Sequence, residues 1–176
     1  MWPLLGRTVL ESLRVLDWAQ AVLGVAGEVR AGGLSMGGDV SVALAGIDDR
    51  VTHVAACVAT PDWTRPGMTS LDRPDDVLDQ GVGDRYAEWI RARLDPMLHL
   101  DRYRRGPVIA FDCADLDTNV PADGAERFKA ALAARHPAAA ARVTVTRRPG
   151  LGHLDGARDA RLLEACVGRL TSAGGG

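Results

Sequence analysis

The segment Gly33-Leu34-Ser35-Met36-Gly37, followed by Gly38, sets a serine between glycines. A hydroxyl becomes a useful nucleophile when it is held where a base can take its proton. The G-x-S-x-G spacing fits a very tight strand-to-helix turn, on which side chains at Gly33 and Gly37 would collide. Such a turn aims the Ser35 hydroxyl away from the sheet. It also puts the Met36 amide at a helix start, where it can donate to an oxyanion. Two further segments supply partners. Asp117 stands in Asp115-Leu116-Asp117-Thr118-Asn119-Val120-Pro121, and His153 in Gly150-Leu151-Gly152-His153-Leu154. A carboxylate can orient an imidazole and stabilise its cation, and a histidine between glycines can swing to meet both serine and acid. Asp112 and Asp115 compete with Asp117 for the acid's role, and all three could instead cap a helix beginning near Pro121. His53 lies within a predicted strand and reads as core. His99 and His136 fall at helix ends, where a cation is favoured.

These residues need elements to position them. Thr8 to Glu11 spells a capping box, and the apolar spacing that follows predicts a helix over 8–23. Residues 28–34 read as a short strand diluted by two glycines, and 37–46 as a helix starting just after Ser35. Residues 51–59 form a near-continuous apolar run of the kind buried in parallel sheets. Residues 60–81 carry three prolines and read as a loop. Helical spacing resumes over 83–94. Residues 107–112 and 142–147 read as strands, 121–135 as a helix with Pro121 in its first turn, and 157–170 as an amphipathic helix. Strands alternate with helices, which predicts an α/β fold with a parallel sheet. Ser35, Asp117 and His153 each follow a different predicted strand, where parallel α/β folds build their sites.

Composition narrows the function classes. The chain has 176 residues, 47% of them hydrophobic and 25% charged, with a net charge of −2. That is ordinary globular composition with no basic excess for nucleic acid or an anionic membrane. No apolar run reaches the length of a membrane helix, and no signal peptide is read. Cys57, Cys113 and Cys166 sit in apolar surroundings and read as reduced, buried thiols of a cytoplasmic protein. No His/Cys cluster has zinc spacing, so no metal is expected. A phosphate-binding reading of the glycines around Ser35 fails, because the Walker lysine and the Rossmann spacing are both missing.

Taken together, GGLSMGGDVSVALA around Ser35, DTNVP from Asp117 and PGLGHLDG around His153 resemble the dienelactone hydrolase and prolyl-oligopeptidase-like branch of the α/β-hydrolase superfamily. The order serine, acid, histidine is that of the superfamily. The resemblance covers essentially the whole chain. It implies a partial α/β-hydrolase fold of about four mainly parallel strands flanked by helices, read as N-terminally truncated and lacking the usual first four strands. One domain is expected over 1–173, with 59–98 as a lid-like insertion and 174–176 as a disordered tail. The resemblance implies a serine hydrolase of the carboxylesterase or acyl-peptidase type, acting on a small ester or amide through an acyl-enzyme and needing no cofactor. Ser35 is the nucleophile, His153 the base, Asp117 the acid and Met36 the oxyanion donor. Dienelactone hydrolases proper carry cysteine where this chain has Ser35, which argues for ester or amide substrates. In the insertion, Trp63 and Met68 are expected to line an acyl or leaving-group pocket, while Trp89 reads as core. The missing strands would remove a second oxyanion amide. They would also open an apolar sheet edge beside Ser35, through which a homodimer would form. The competing reading is a catalytically dead remnant acting as an interaction module.

Overall fold

The computed structural model describes residues 1–25 and 27–171, so the predicted tail at 174–176 lies outside the described residues. Four strands, β1 (Val29–Leu34), β2 (Val51–Cys57), β3 (Val108–Ala114) and β4 (Val143–Arg148), form one sheet in the order β1-β2-β3-β4. Every neighbouring pair is parallel. The helices are α1 (Trp2–Leu23), α2 (Met36–Ile47), α3 (Arg85–Leu94), α4 (Asp123–Arg135), α5 (Pro137–Ala140), α6 (His153–Arg158) and α7 (Ala160–Thr171).

Alternation along the strands builds two cores. Val54, Ala56, Ile109 and Phe111 face one way and pack with apolar residues of α1, α2, α3 and α4. Ala55, Cys57 and Ala114 face the other way and meet Leu162 and Cys166 of α7. The central strands are therefore covered on both faces, which is why residues 51–57 read as a continuous apolar run. All three cysteines are buried. Among the described residues no helix is long and apolar enough to cross a membrane.

The structure corrects several sequence expectations. α1 begins at Trp2, six residues before the predicted start at Thr8, with Pro3 in its first turn. Proline is tolerated there because the first amides have no intrahelical partner. Thr8 lies inside the helix, and its hydroxyl donates back to Leu4 O at 2.9 Å. Pro121 precedes α4 rather than opening it. The predicted C-terminal helix is two helices, broken at Asp159, whose carboxylate accepts from Leu162 N at 2.8 Å as an N-cap does. His53 is half-buried rather than core, with Nδ1 against Thr52 Oγ1.

The tryptophans exchange their expected places. Trp63 is 0% exposed and belongs to the core, and its carbonyl accepts from Trp2 Nε1 at 2.8 Å. Trp89 is 50% exposed. α3 buries Ala87, Ile90 and Leu94, so Tyr86 and Trp89 fall on its opposite face and stack on each other.

Candidate active site

Register aligns the strand ends. Leu34 pairs with Cys57, Cys57 with Asp112, and Asp112 with Thr146. The segments carrying Ser35, Asp117 and His153 all leave the sheet at this C-terminal edge.

Ser35 joins β1 to α2 with no intervening residue and holds φ 50° and ψ −120°. Its amide extends the ladder to Cys57 O at 2.8 Å, while its carbonyl accepts from the Gly38 and Asp39 amides. A non-glycine residue in this region costs about 1–3 kcal/mol. The glycines make the turn fit, though not in the way the motif implies. A Cβ at Gly33 would lie 2.6 Å from the Gly37 carbonyl carbon, and one at Gly38 would lie 2.4 Å from Ala59 Cβ. A Cβ at Gly37 would meet nothing within 4 Å. The Gly37 backbone, not its missing side chain, occupies the space. Met36 is the first residue of α2, and its amide is among the helix-initial donors that lack an intrahelical acceptor.

Asp117 follows β3, with its side chain fully buried. Its Oδ1 accepts from the Asn119 and Val120 amides at 2.9 and 2.7 Å. Its Oδ2 lies 2.7 Å from His153 Nδ1. A carboxylate accepting at both oxygens requires the proton on Nδ1, which leaves Nε2 as the basic nitrogen. The competing acids are engaged elsewhere. Asp112 points to the α7 side and is held by Arg148 and Arg169, and Asp115 pairs with Arg147. His153 opens α6 and is itself buried. Of the three expected residues, then, Asp117 and His153 are brought into contact. Among the described residues no hydrogen bond joins Ser35 Oγ to His153 Nε2.

A cavity of about 200 Å³ adjoins His153, lined by Ser70, Leu71, Thr118, Asn119 and Leu154 among others. Neither expected pocket residue lines it. Trp63 is in the core, and Met68 lines a separate cavity of about 290 Å³ with Trp2, Leu78 and Gln80. Trp63 sits in a proline-rich turn that folds inward, where its apolar ring gains most. A larger cavity, about 710 Å³, lies at the opposite end of the strands around Asp48, Arg50, Asp101 and Arg105. It does not touch Ser35 or His153.

Sequence reasoning also passed over Asp39 and Arg65. Asp39 is wholly buried on α2, accepts from Thr60 N and is ion-paired with Arg65. Burial pushes its carboxyl up, against the opposing pull of Arg65, the Thr60 amide and the charge of His153. The available signal was an acid four residues after Ser35 within an otherwise apolar helix. Among the described residues, the non-glycine residues at positive φ, Ser35, Val58 and Arg65, all lie at the ends of β1 and β2 or in the loop that follows.

No family model and no curated protein matches the sequence. Solved structures do match in fold. TT1662 from Thermus thermophilus aligns at 21% identity with a TM-score of 0.65, over 94% of this chain and 63% of that one. The esterase domain of a Rhodothermus marinus protein aligns at 21% identity and TM-score 0.57, over 89% of this chain and 65% of that one. A puromycin-hydrolyzing peptidase of Mycobacterium tuberculosis aligns at 20% identity and TM-score 0.59, over 90% of this chain and 24% of that one. The four-stranded parallel sheet with its flanking helices is a partial α/β-hydrolase fold. The chain spans less than two thirds of the length of each of these neighbours.

Proposed function

We propose that this chain is a serine hydrolase of small esters or amides. The observation that carries the reading is the 2.7 Å contact between His153 Nδ1 and Asp117 Oδ2, set at the same sheet end as the strained turn at Ser35. In this reading Ser35 Oγ attacks the carbonyl carbon while His153 Nε2 takes its proton. The oxyanion sits at the Met36 amide. Collapse breaks the bond to the alcohol or amine, which leaves with the proton from His153, and water then repeats the sequence on the acyl-enzyme. The esterase and peptidase activities named for the fold neighbours agree with this chemistry. The three buried thiols agree with a reducing compartment such as the cytoplasm.

A fluorophosphonate probe tests the reading. The folded wild-type chain should be labelled at Ser35, and Ser35→Ala should abolish labelling. A folded wild type that takes no label overturns it. The second reading, a non-catalytic interaction module, draws on the missing Ser35–His153 hydrogen bond and on β1 lying at the sheet edge. Absent labelling with retained fold is the result it predicts.

A further inference from the structure

The loop after β2 contains a polar network that the reaction above does not use. Its first anchor is Asp39, on the first turn of α2, whose amide donates to Ser35 O at 3.1 Å. The Asp39 carboxylate accepts from Thr60 N at 2.7 Å and forms an ion pair with Arg65. The arrangement is expensive. The Arg65 side chain is only 4% exposed, its backbone holds φ 42°, and its Nε is buried without a partner. An apolar pair of similar volume would avoid the desolvation of two charges. Strain that the surrounding structure holds in place tends to mark function rather than packing.

From Arg65 the chain leads to the acid. The Arg65 amide donates to Asp62 O, and the Arg65 carbonyl accepts from Met68 N, so two turns follow one another. The next residue, Thr69, is fastened to the loop of Asp117 three times. Its amide donates to Thr118 O at 2.8 Å, its hydroxyl bonds Thr118 Oγ1 at 2.7 Å, and its carbonyl accepts from Asn119 Nδ2 at 2.9 Å. Asn119 in turn donates its amide to Asp117 Oδ1. Residues 62–69 thus form a strut from the helix of Ser35 to the carboxylate that holds His153.

We infer that Arg65 is a positioning residue: joined to Asp39 at one end of this strut, with Thr69 at the other, it sets the spacing between Ser35 and the His153–Asp117 pair. The inference rests on the hydrolase reading for its catalytic consequence. Its structural consequence stands apart from it.

The test is Asp39→Leu combined with Arg65→Met, which replaces the ion pair by an apolar one. The double variant should still fold, with its thermal midpoint lowered modestly because the buried Thr60 N loses its acceptor. Its kcat on p-nitrophenyl acetate should fall about ten- to a hundredfold with KM unchanged, as expected of misplaced reacting groups. Arg65→Lys, which keeps the charge, should regain most of that rate. Hydrogen–deuterium exchange of the peptide spanning 115–121 should accelerate in the double variant. A folded double variant with wild-type kcat, or with unchanged exchange at 115–121, overturns the strut. Should the double variant not fold, Thr69→Val together with Asn119→Ala removes both side-chain bonds at the strut's other end and is read by the same two measurements. If the wild-type chain turns over no ester, the hydrolase reading fails, and the exchange measurement still decides the strut.

Discussion

Of three nearby acids only Asp117 meets His153, and the direction in which each side chain leaves the backbone decides this. Asp112 lies in β3 and faces α7, where Arg148 and Arg169 hold it. Asp115 is turned to Arg147. Asp117, three residues past the end of β3, lies in a turn whose amides fix one oxygen and leave the other for His153. Asp117→Asn should therefore be damaging out of proportion to its size. The amide NH₂ facing Nδ1 would favour the tautomer with its proton on Nε2, which cannot act as a base. Steady-state kinetics should show kcat reduced by about 10⁴-fold, with the far-ultraviolet circular dichroism unchanged. A loss of less than tenfold would remove Asp117 from the role. The motif order picks Ser35, Asp117 and His153 from the sequence because each stands in a short segment with its own turn chemistry, and of these the structure brings Asp117 and His153 into contact. The cavity beside His153 was not legible. Its lining comes from Ser70 and Leu71 of one loop and Thr118 and Asn119 of another, and only tertiary folding brings those together. Trp63 and Trp89 were exchanged for a related reason. Spacing fixes which residues share a helix face, but not which face turns inward.

At the scale of elements, the β1–α2 junction makes the sharpest prediction, and it runs against the motif. Gly38→Ala would press a methyl group to 2.4 Å from Ala59 Cβ, so the start of α2 must move. The cost should be about 1–3 kcal/mol, as for other overpacking, and Ser35 should shift with it. Gly37→Ala meets open space and should stabilise the chain by up to about 1 kcal/mol through helix propensity. Urea unfolding of the two variants checks this, and equal destabilisation would contradict it. Asp95 supplies a second prediction, for the junction between α3 and the following Pro96–Leu98 turn. Burial pushes its carboxyl up to about 7, while its carboxylate accepts from Met97 N. Between about pH 4 and 7 the folded chain therefore holds a proton that the unfolded chain has released. Stability attributable to Asp95 must then fall as pH rises through that window and level off above it. Asp95→Asn keeps an acceptor for Met97 N and should remove this slope, raising stability at pH 8 by at most about 4 kcal/mol. Denaturant titrations at a series of pH values would show it, and parallel curves for the two proteins would rule it out. Strand positions were readable in the sequence because β2 and β3 are buried on both faces. Helix ends were not, because Pro3 and Asp159 act through backbone positions that periodicity does not register.

At the scale of the whole molecule, the exposed surface is uneven in a way that bears on the site. Among the described residues β1 has a neighbour on one side only, and none of its residues is fully buried, whereas β2 is buried along most of its length. On the helical layer over the sheet, α1 presents Val15, Trp18 and Val22 at 60%, 53% and 63% exposure. Spaced three and four apart, they lie on one face of the helix. An unpaired strand edge and an apolar helix face on one molecule favour association with another chain. A second copy offers both features at once, and a two-fold axis would let each β1 pair antiparallel with the other. We therefore expect the mass measured by light scattering to rise with protein concentration. Trp18→Lys with Val15→Lys should return it to that of a monomer. The thermal midpoint of the dilute protein should hardly change, because both side chains already face solvent. A monodisperse monomer at high concentration in the unsubstituted protein would refute the expectation. If association is seen, its effect on labelling of Ser35 carries further meaning, because the strand that pairs is the one that ends at Ser35. Labelling that rises with concentration in the wild type, and stays flat in the lysine variant, would mean that the second copy completes a flank of the site that one copy leaves open.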